Sequence, residues 1–312
     1  MLSIFFILLL KIFPLYLNIG FGYIATKFLN VSRESIANIL IYILGPIVVF
    51  SAAISVKIDP SVVFLPIFFY IFGSLLAFLL LFLFEKKWDD PTGNILAFSG
   101  ATGNTGYFGI PLAIIFFPPH LADIYIFTVL ASLLYESTTG FYVTAKGNFS
   151  MKEALEKISR LPLIYAFILG ITLNILGFKI PDTLVDYTAQ FKGAYGILGM
   201  MLIGMGLVGL KLNRSDDLDI KFISILFVLK FIFWPLVILG MILIDKTFFL
   251  FLNDDLYRVM FLFSIVPLAG NTVTLAILLN AKPQKASFAV LLSTIVSILY
   301  IPFAMVVFGG FE

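Results

Sequence analysis

Gly100-Ala101-Thr102-Gly103-Asn104-Thr105-Gly106-Tyr107-Phe108-Gly109-Ile110-Pro111 is the stretch on which the reading of this chain turns, and its core returns as Gly270-Asn271-Thr272. Each Gly-Asn-Thr lies in the middle of an apolar segment long enough to cross a membrane. A polar amide beside a residue without a Cβ is poorly suited to an unbroken helix in hydrocarbon, where every unpaired N–H or C=O costs several kcal/mol. Such an interruption is tolerated where it lines a cavity. Its recurrence in both halves of one chain is the pattern expected of a secondary transporter that binds substrate between two repeated units at the midplane.

Around these segments the composition is that of a polytopic helical membrane protein. Apolar residues make up 61% and charged residues 12% of the chain, and the mean hydropathy is +1.09, far from a soluble domain. A span needs about 20 apolar residues, and the chain divides into such stretches with short polar connections. The expected spans in the first half are Leu2 to Thr26, Ile36 to Val56, Val62 to Phe84, Gly93 to Phe117 and Leu121 to Ala145. In the second half they are Pro162 to Phe178, Ala189 to Leu210, Phe222 to Ile244, Leu256 to Asn280 and Lys285 to Phe308. The first stretch has no basic start and no small-residue cleavage site, so it reads as a span rather than a cleavable leader.

Lys and Arg are distributed unevenly between alternate connections. One set holds Lys27, Arg33, Lys86, Lys87, Lys146, Lys152, Lys157, Arg160, Lys211, Arg214, Lys221, Lys282 and Lys285; the other holds only Lys57, Lys179, Lys192, Lys246 and Arg258. By the positive-inside rule the first set is cytoplasmic and both termini lie outside. Trp88, beside Lys86-Lys87, reads as an interfacial anchor, and Trp234 falls in the opposite half of its helix. The net charge of +2 resides in loops and carries no implication of nucleic acid as a partner.

The two halves repeat in more than the tripeptide. Val129-Leu130-Ala131-Ser132 with Tyr135 follows the first interrupted helix, and Val290-Leu291-Leu292-Ser293 with Tyr300 follows the second. An odd number of spans per half makes the second half enter the membrane in the opposite sense, giving two inverted five-helix repeats, 1–145 and 162–312. The connector 146–161 contains Ser150-Met151-Lys152-Glu153, a capping box that opens a short amphipathic helix with Met151, Leu155 and Ile158 on one face.

Within the interrupted helices 4 and 9, Pro111 frees the carbonyl of Tyr107 and Pro267 that of Phe263. Asn104 and Asn271 lie about 15 to 20 Å deep at 1.5 Å per residue, so both belong near the midplane, where the two breaks are expected to meet. A helix that restarts at Asn-Thr presents free N–H groups and the positive end of its dipole, which favour an anion. Either the two asparagines cap the restarted helices, or, together with Gly103, Thr105, Pro111, Pro267, Gly270 and Thr272, they form a substrate site.

Ionisable groups inside spans are costly and tend to be functional. Glu136 and Lys230 fall at similar depth. They are expected either to pair near the site and couple transport to pH, or to form a static pair, with Lys230 alternatively snorkelling. Lys11 reads as a snorkelling residue near the outer face. Asp216, Asp217 and Asp219 read as a solvated turn rather than a Ca2+ site, and His120 as a turn residue after Pro118-Pro119. With no cysteine and a single histidine, the usual metal-ligand and nucleophile sets cannot be assembled; no cofactor, no metal and no enzymatic chemistry are expected.

The same residues carry a resemblance to a known family. Pro14-Leu15-Tyr16 and Gly22-Tyr23, Tyr42-Ile43-Leu44-Gly45 before Pro46, Asn104-Thr105 with Gly109-Ile110-Pro111-Leu112, Pro267 with Asn271, Lys282-Pro283 and Pro302 together resemble the auxin efflux carrier family, which includes plant auxin exporters and bacterial permeases. Where the plant carriers have a long hydrophilic loop, this chain has only Lys146 to Leu161. The resemblance implies an all-α fold of ten helices in two inverted repeats, helices 4 and 9 crossing at their breaks beneath the substrate. It further implies a homodimer, a scaffold of helices 1, 2, 6 and 7, and an elevator-like shift of the other six across the cell membrane. Small organic anions such as carboxylates are the implied substrates, moved by uniport or with protons. A sodium-coupled symporter and a non-transporting sensor are the alternatives.

Overall fold

The computed structural model describes residues 2–145, 159–208, 219–279 and 281–308. Among them the chain is helical throughout, with no strand. In chain order the helices are α1 (Leu2–Leu29), α2 (Arg33–Ser55), α3 (Pro60–Lys87), α4a (Thr92–Gly100) with α4b (105–116), α5 (Pro119–Thr144), α6 (Pro162–Ile175), α7 (Asp182–Met205), α8 (Ile220–Phe249), α9a (Asp254–Ile265) with α9b (Asn271–Leu278), and α10 (Pro283–Phe308). Six are long and apolar enough to cross a membrane: α1, α2, α3, α5, α8 and α10. Of the rest, α4 and α9 are each divided, α6 has 14 residues, and α7 carries Asp186 and Lys192 within its length.

Several boundaries differ from expectation, two of them with a clear local cause. α7 begins at Asp182 rather than Ala189, because Pro181 is held extended and its carbonyl takes the Leu184 N–H at 2.8 Å. α8 runs on to Phe249, where Leu250 turns left-handed (φ 51°) and returns its N–H to Asp245 O at 2.7 Å. The connector helix expected from Ser150 to Ile158, Asp216 and Asp217, and the basic residues Lys146, Lys152, Lys157, Lys211 and Arg214 lie outside the described residues.

Prolines set the local irregularities. Widened turns at Leu40–Leu44, Thr105–Gly109 and Leu229–Phe233 each end two residues before a proline, Pro46, Pro111 and Pro235. A proline removes one N–H and its ring pushes on the carbonyl four residues back, so the ladder opens locally to the wider register. The carbonyl freed by Pro235 is that of Phe231, and it accepts the Tyr300 hydroxyl of α10 at 2.8 Å.

The helices pack in a reciprocal pattern: α1 runs along α7, and α6 runs along α2. The first contact is backbone-close, since a Cβ on Gly22 would collide with Met201 O and one on Gly204 with Ile19 O. Asn174 of α6 donates to Ala53 O (2.9 Å) and Val56 O (2.7 Å), closing the end of α2. Elsewhere α3 packs on α4a and α5, α9a on α8, and α9b and α8 on α10. Trp234 is fully buried and its Nε1 donates to Gly100 O at 2.8 Å, so it caps α4a rather than anchoring at an interface.

At one end of the bundle three basic connections are tied together. Asp219 Oδ2 accepts from Lys285 Nζ (2.8 Å) and Trp88 Nε1 (2.7 Å), Lys282 pairs with Asp90 (3.0 Å), and Lys221 lies over the Trp88 ring at 4.7 Å. Burial alone would raise the Asp219 carboxyl, but bonds from Lys285, the Phe222 N–H and Trp88 outweigh it and hold the group below its ordinary value. Asp90 is likewise brought down, to about 2, burial being outweighed by Thr92 and Lys282. A depressed carboxylate stabilises the fold above its unfolded pKa and loses that contribution as pH falls toward its folded one. Asp219→Asn should therefore lower the unfolding temperature of the detergent-solubilised protein at pH 7. The difference from the parent should shrink below about pH 4, as read by thermal unfolding at a series of pH values.

Candidate functional site

The helical ladder of α4 stops at Gly100 and resumes at Thr105, and that of α9 stops at Ile265 and resumes at Asn271. The two interruptions meet: the Asn104 N–H donates to Pro267 O at 2.8 Å, so one broken helix supplies the donor and the other the acceptor. A Cβ on Gly270 would lie 3.8 Å from Asn104 Nδ2, and one on Gly103 would collide with Lys230 Nζ and come within 2.9 Å of Val266 Cγ2. At Gly103 the absence of a side chain is thus a matter of space, whereas at Gly270 a Cβ would make only ordinary van der Waals contact.

Each break is also held by the helix that follows it in sequence. Thr105 Oγ1 donates to Ser132 Oγ of α5 (2.9 Å), and the Leu268 N–H donates to Ser293 Oγ of α10 (3.2 Å). Ser132 and Ser293 are the corresponding serines of the duplicated Val-Leu-x-Ser segments, and each accepts one hydrogen bond from its break, from a side-chain hydroxyl in the first half and from a backbone N–H in the second.

A cavity of about 160 Å³ opens at this junction. Its polar wall includes Gly103, Asn104, Thr105, Ser132, Glu136 and Asn271, and its apolar wall Ile41, Val48 and Leu163. The side-chain oxygen of Asn104 accepts the Phe108 N–H at 3.3 Å, which fixes the amide orientation and leaves Nδ2 buried without a partner among the described residues. Asn271 Nδ2 donates to Glu136 Oε2 at 2.6 Å. Unmet hydrogen-bonding capacity gathers at the breaks: Thr102 Oγ1 and Thr272 Oγ1 are buried and unpartnered as well. An unmade buried hydrogen bond costs about 1 to 3 kcal/mol, and a ligand that supplies acceptors in the cavity recovers part of this for Asn104.

Gly103, Asn104, Thr105, Gly270 and Asn271 therefore line one cavity, whereas Pro111, Pro267 and Thr272 do not reach it. Pro111 packs instead beside Gly196 of α7, and Pro267 acts through its carbonyl. The expected pairing of Glu136 with Lys230 is not formed. Glu136 faces the cavity and bonds Asn271, while Lys230 is buried behind Gly103 with Nζ 4.8 Å from the centre of the Trp234 ring. Equal depth along two helices did not bring the side chains onto facing sides. Lys11 is exposed on α1 and His120 on the first turn of α5. Tyr107, Tyr195 and Ser137 line the cavity without having been singled out; Ser132 could have been, through its place in the repeat.

The wall continues past Ser137 of α5 to Leu161 and Leu163, where α6 begins. On the other side, near the start of α5, α7 closes against it: Lys192 pairs with the buried carboxylate of Asp123, and Tyr195 packs on Tyr107 with ring centroids 6.0 Å apart.

Removing either repeat serine leaves a buried donor unpaired. Ser293→Ala, which strands the Leu268 N–H, should destabilise the protein by about 1 to 3 kcal/mol. Ser132→Ala should cost less, because the Thr105 hydroxyl can rotate. Thermal unfolding in detergent checks the order.

No curated protein matches this chain. The family model described as "Membrane transport protein" matches residues 147–305, from the α5–α6 connection into α10. With more than half of its residues inside that match, and with apolar helices able to cross a membrane several times, the chain is a multi-pass membrane protein that belongs to the auxin efflux carrier family of membrane transporters.

Proposed function

We propose that this protein is a secondary transporter of a small organic anion, most simply a carboxylate with an apolar body, which binds in the cavity at the two breaks. The observation that carries the reading is the buried, unpartnered Nδ2 of the cavity-wall residue Asn104, on a wall it shares with an Asn271 amide that already holds a carboxylate, that of Glu136. A substrate carboxylate is a chemical equivalent of the Glu136 group. It competes for the same Asn271 donor and satisfies Asn104, and the start of α9b adds the positive end of a helix dipole.

Glu136 then supplies the coupling. An ionised Glu136 beside a bound carboxylate would place two like charges in one low-dielectric cavity; a protonated one frees Asn271 and can itself donate to the substrate. Anion and proton therefore bind together. The titratable groups around Glu136 are Tyr107, Tyr135 and Tyr195, with Arg33 facing Tyr107. Electrogenic or pH-driven uptake into proteoliposomes, tested over a panel of mono- and dicarboxylates with and without sodium, should reveal one transported class. Asn104→Ala and Asn271→Ala should reduce its rate at least tenfold, and Glu136→Gln should abolish its pH dependence. Equal background flux in all proteins would remove the anion reading, and a requirement for sodium would replace the proton.

The reciprocal packing of α1 on α7 and α6 on α2, together with the hydrogen bond that Ser132 and Ser293 each accept from a break, supports two inverted repeats of five spans. On this reading the breaks cross at the midplane, α1, α2, α6 and α7 form the scaffold of a homodimer in the cell membrane, and the remaining helices move past it. The lysine-rich connections are cytoplasmic and the termini outside. The cavity then faces the cytoplasm, and Asp123–Lys192 closes the outer side between a moving α5 and a fixed α7. Asp123→Asn should open that side. Because the natural chain has no cysteine, a single Ile110→Cys reporter in the cavity wall should be labelled faster by an impermeant maleimide from outside in the Asp123→Asn background. An unchanged labelling rate would count against the pair as a closure.

A further inference from the structure

Three charged side chains are buried among the described residues: Asp123, Lys230 and Asp245. Asp123 has Lys192 as its partner. Asp245 accepts the Tyr257 hydroxyl (2.7 Å) and the N–H groups of Leu252 (2.9 Å) and Phe251 (3.2 Å). Lys230, 1% exposed, has neither an ion pair nor a hydrogen bond to any described residue. Its only charge-directed contact is the face of Trp234. A buried ammonium without a counter-ion is among the costliest arrangements in a protein interior. Its place in the fold explains what offsets that cost. Lys230 sits in the widened turn Leu229–Phe233 of α8, against the backbone of Gly103. Gly103 is a cavity-wall residue and immediately precedes Asn104. The ammonium thus lies behind the thin, side-chain-free part of the wall, and the carboxylate on the far side, Glu136, is committed to Asn271.

We propose that Lys230 is the specificity-determining positive charge of this site: an ammonium held behind Gly103 whose counter-ion is the carboxylate of the bound substrate. The inference rests on the anion reading of the cavity and deepens it, for it assigns selection between an anion and a neutral molecule of the same shape to a residue that does not touch the ligand. Lys230 is a positioning residue in electrostatic terms. It acts through the Gly103 backbone, where the absence of a Cβ keeps the charge close and the low-dielectric surroundings keep it unscreened.

The test compares binding of phenylacetate with that of phenylacetamide, which share a shape and differ in charge, to purified full-length protein in detergent. Parent, Lys230→Met, Lys230→Gln and Lys230→Arg proteins are each measured. The parent should prefer the anion at least tenfold. That preference should fall to near unity in Lys230→Met and Lys230→Gln, chiefly through weaker anion binding, and persist in Lys230→Arg. If the neutral variants retain the parent's preference, the assignment to Lys230 is wrong while the anion site stands. If the parent itself shows no preference for the anion, the anion reading falls and this inference with it. Should only the cationic variant fold, as judged by monodispersity, Lys230 is a structural charge and the specificity role is overturned.

Discussion

The hydrogen bond from the Asn104 N–H to the Pro267 carbonyl, 2.8 Å long, is the contact on which the centre of this protein depends. A helix interrupted in an apolar interior must place its freed donors and acceptors somewhere, and water is not available there. Here each interruption serves as the partner of the other, which is why neither could exist alone. The serines of the helices that follow, Ser132 and Ser293, complete the arrangement from outside the junction. Of the groups left unpaired among the described residues, Asn104 Nδ2 belongs to a residue of the cavity wall.

Around that junction the backbone is loosened in a controlled way. Three prolines convert the turns before them into wider ones, and all three turns lie at the site: Leu40–Leu44 and Thr105–Gly109 line the cavity, and Leu229–Phe233 carries Lys230 behind Gly103. The freed carbonyls are met by long-range donors, Tyr300 for Phe231 and, at the end of α4a, Trp234 for Gly100 and Tyr135 for Phe98. Irregular backbone is thus concentrated beside the cavity, and the aromatic hydroxyl and indole groups that satisfy it come from helices distant in sequence.

Charge is distributed by the same economy. Toward the lysine-rich end, Asp219, Asp90, Lys282 and Lys285 tie the α3–α4, α7–α8 and α9–α10 connections into one network. Inside the bundle, only a few charges are admitted, and the two near the cavity do not neutralise each other. Glu136 is on the wall and Lys230 behind it.

From the sequence it was legible that the chain crosses a membrane as helices, where those helices lie, and that Gly103-Asn104-Thr105 and Gly270-Asn271-Thr272 interrupt two of them, because hydropathy, glycine and proline act over a few neighbouring residues. The family was legible too, since its motifs are local. The repeat could be read in Ser132 and Ser293 as letters but not as hydrogen bonds. Which side of a helix faces which neighbour was not legible: Glu136 and Lys230 looked like partners by depth, whereas rotation about α5 and α8 sends one to Asn271 and the other to Trp234. Tyr107 and Tyr195 likewise became cavity residues only when α4b packed on α7. Depth along a helix follows from counting residues, but facing depends on crossing angle and on close approaches such as that of Gly22 and Gly204, and those are fixed only when the whole bundle packs.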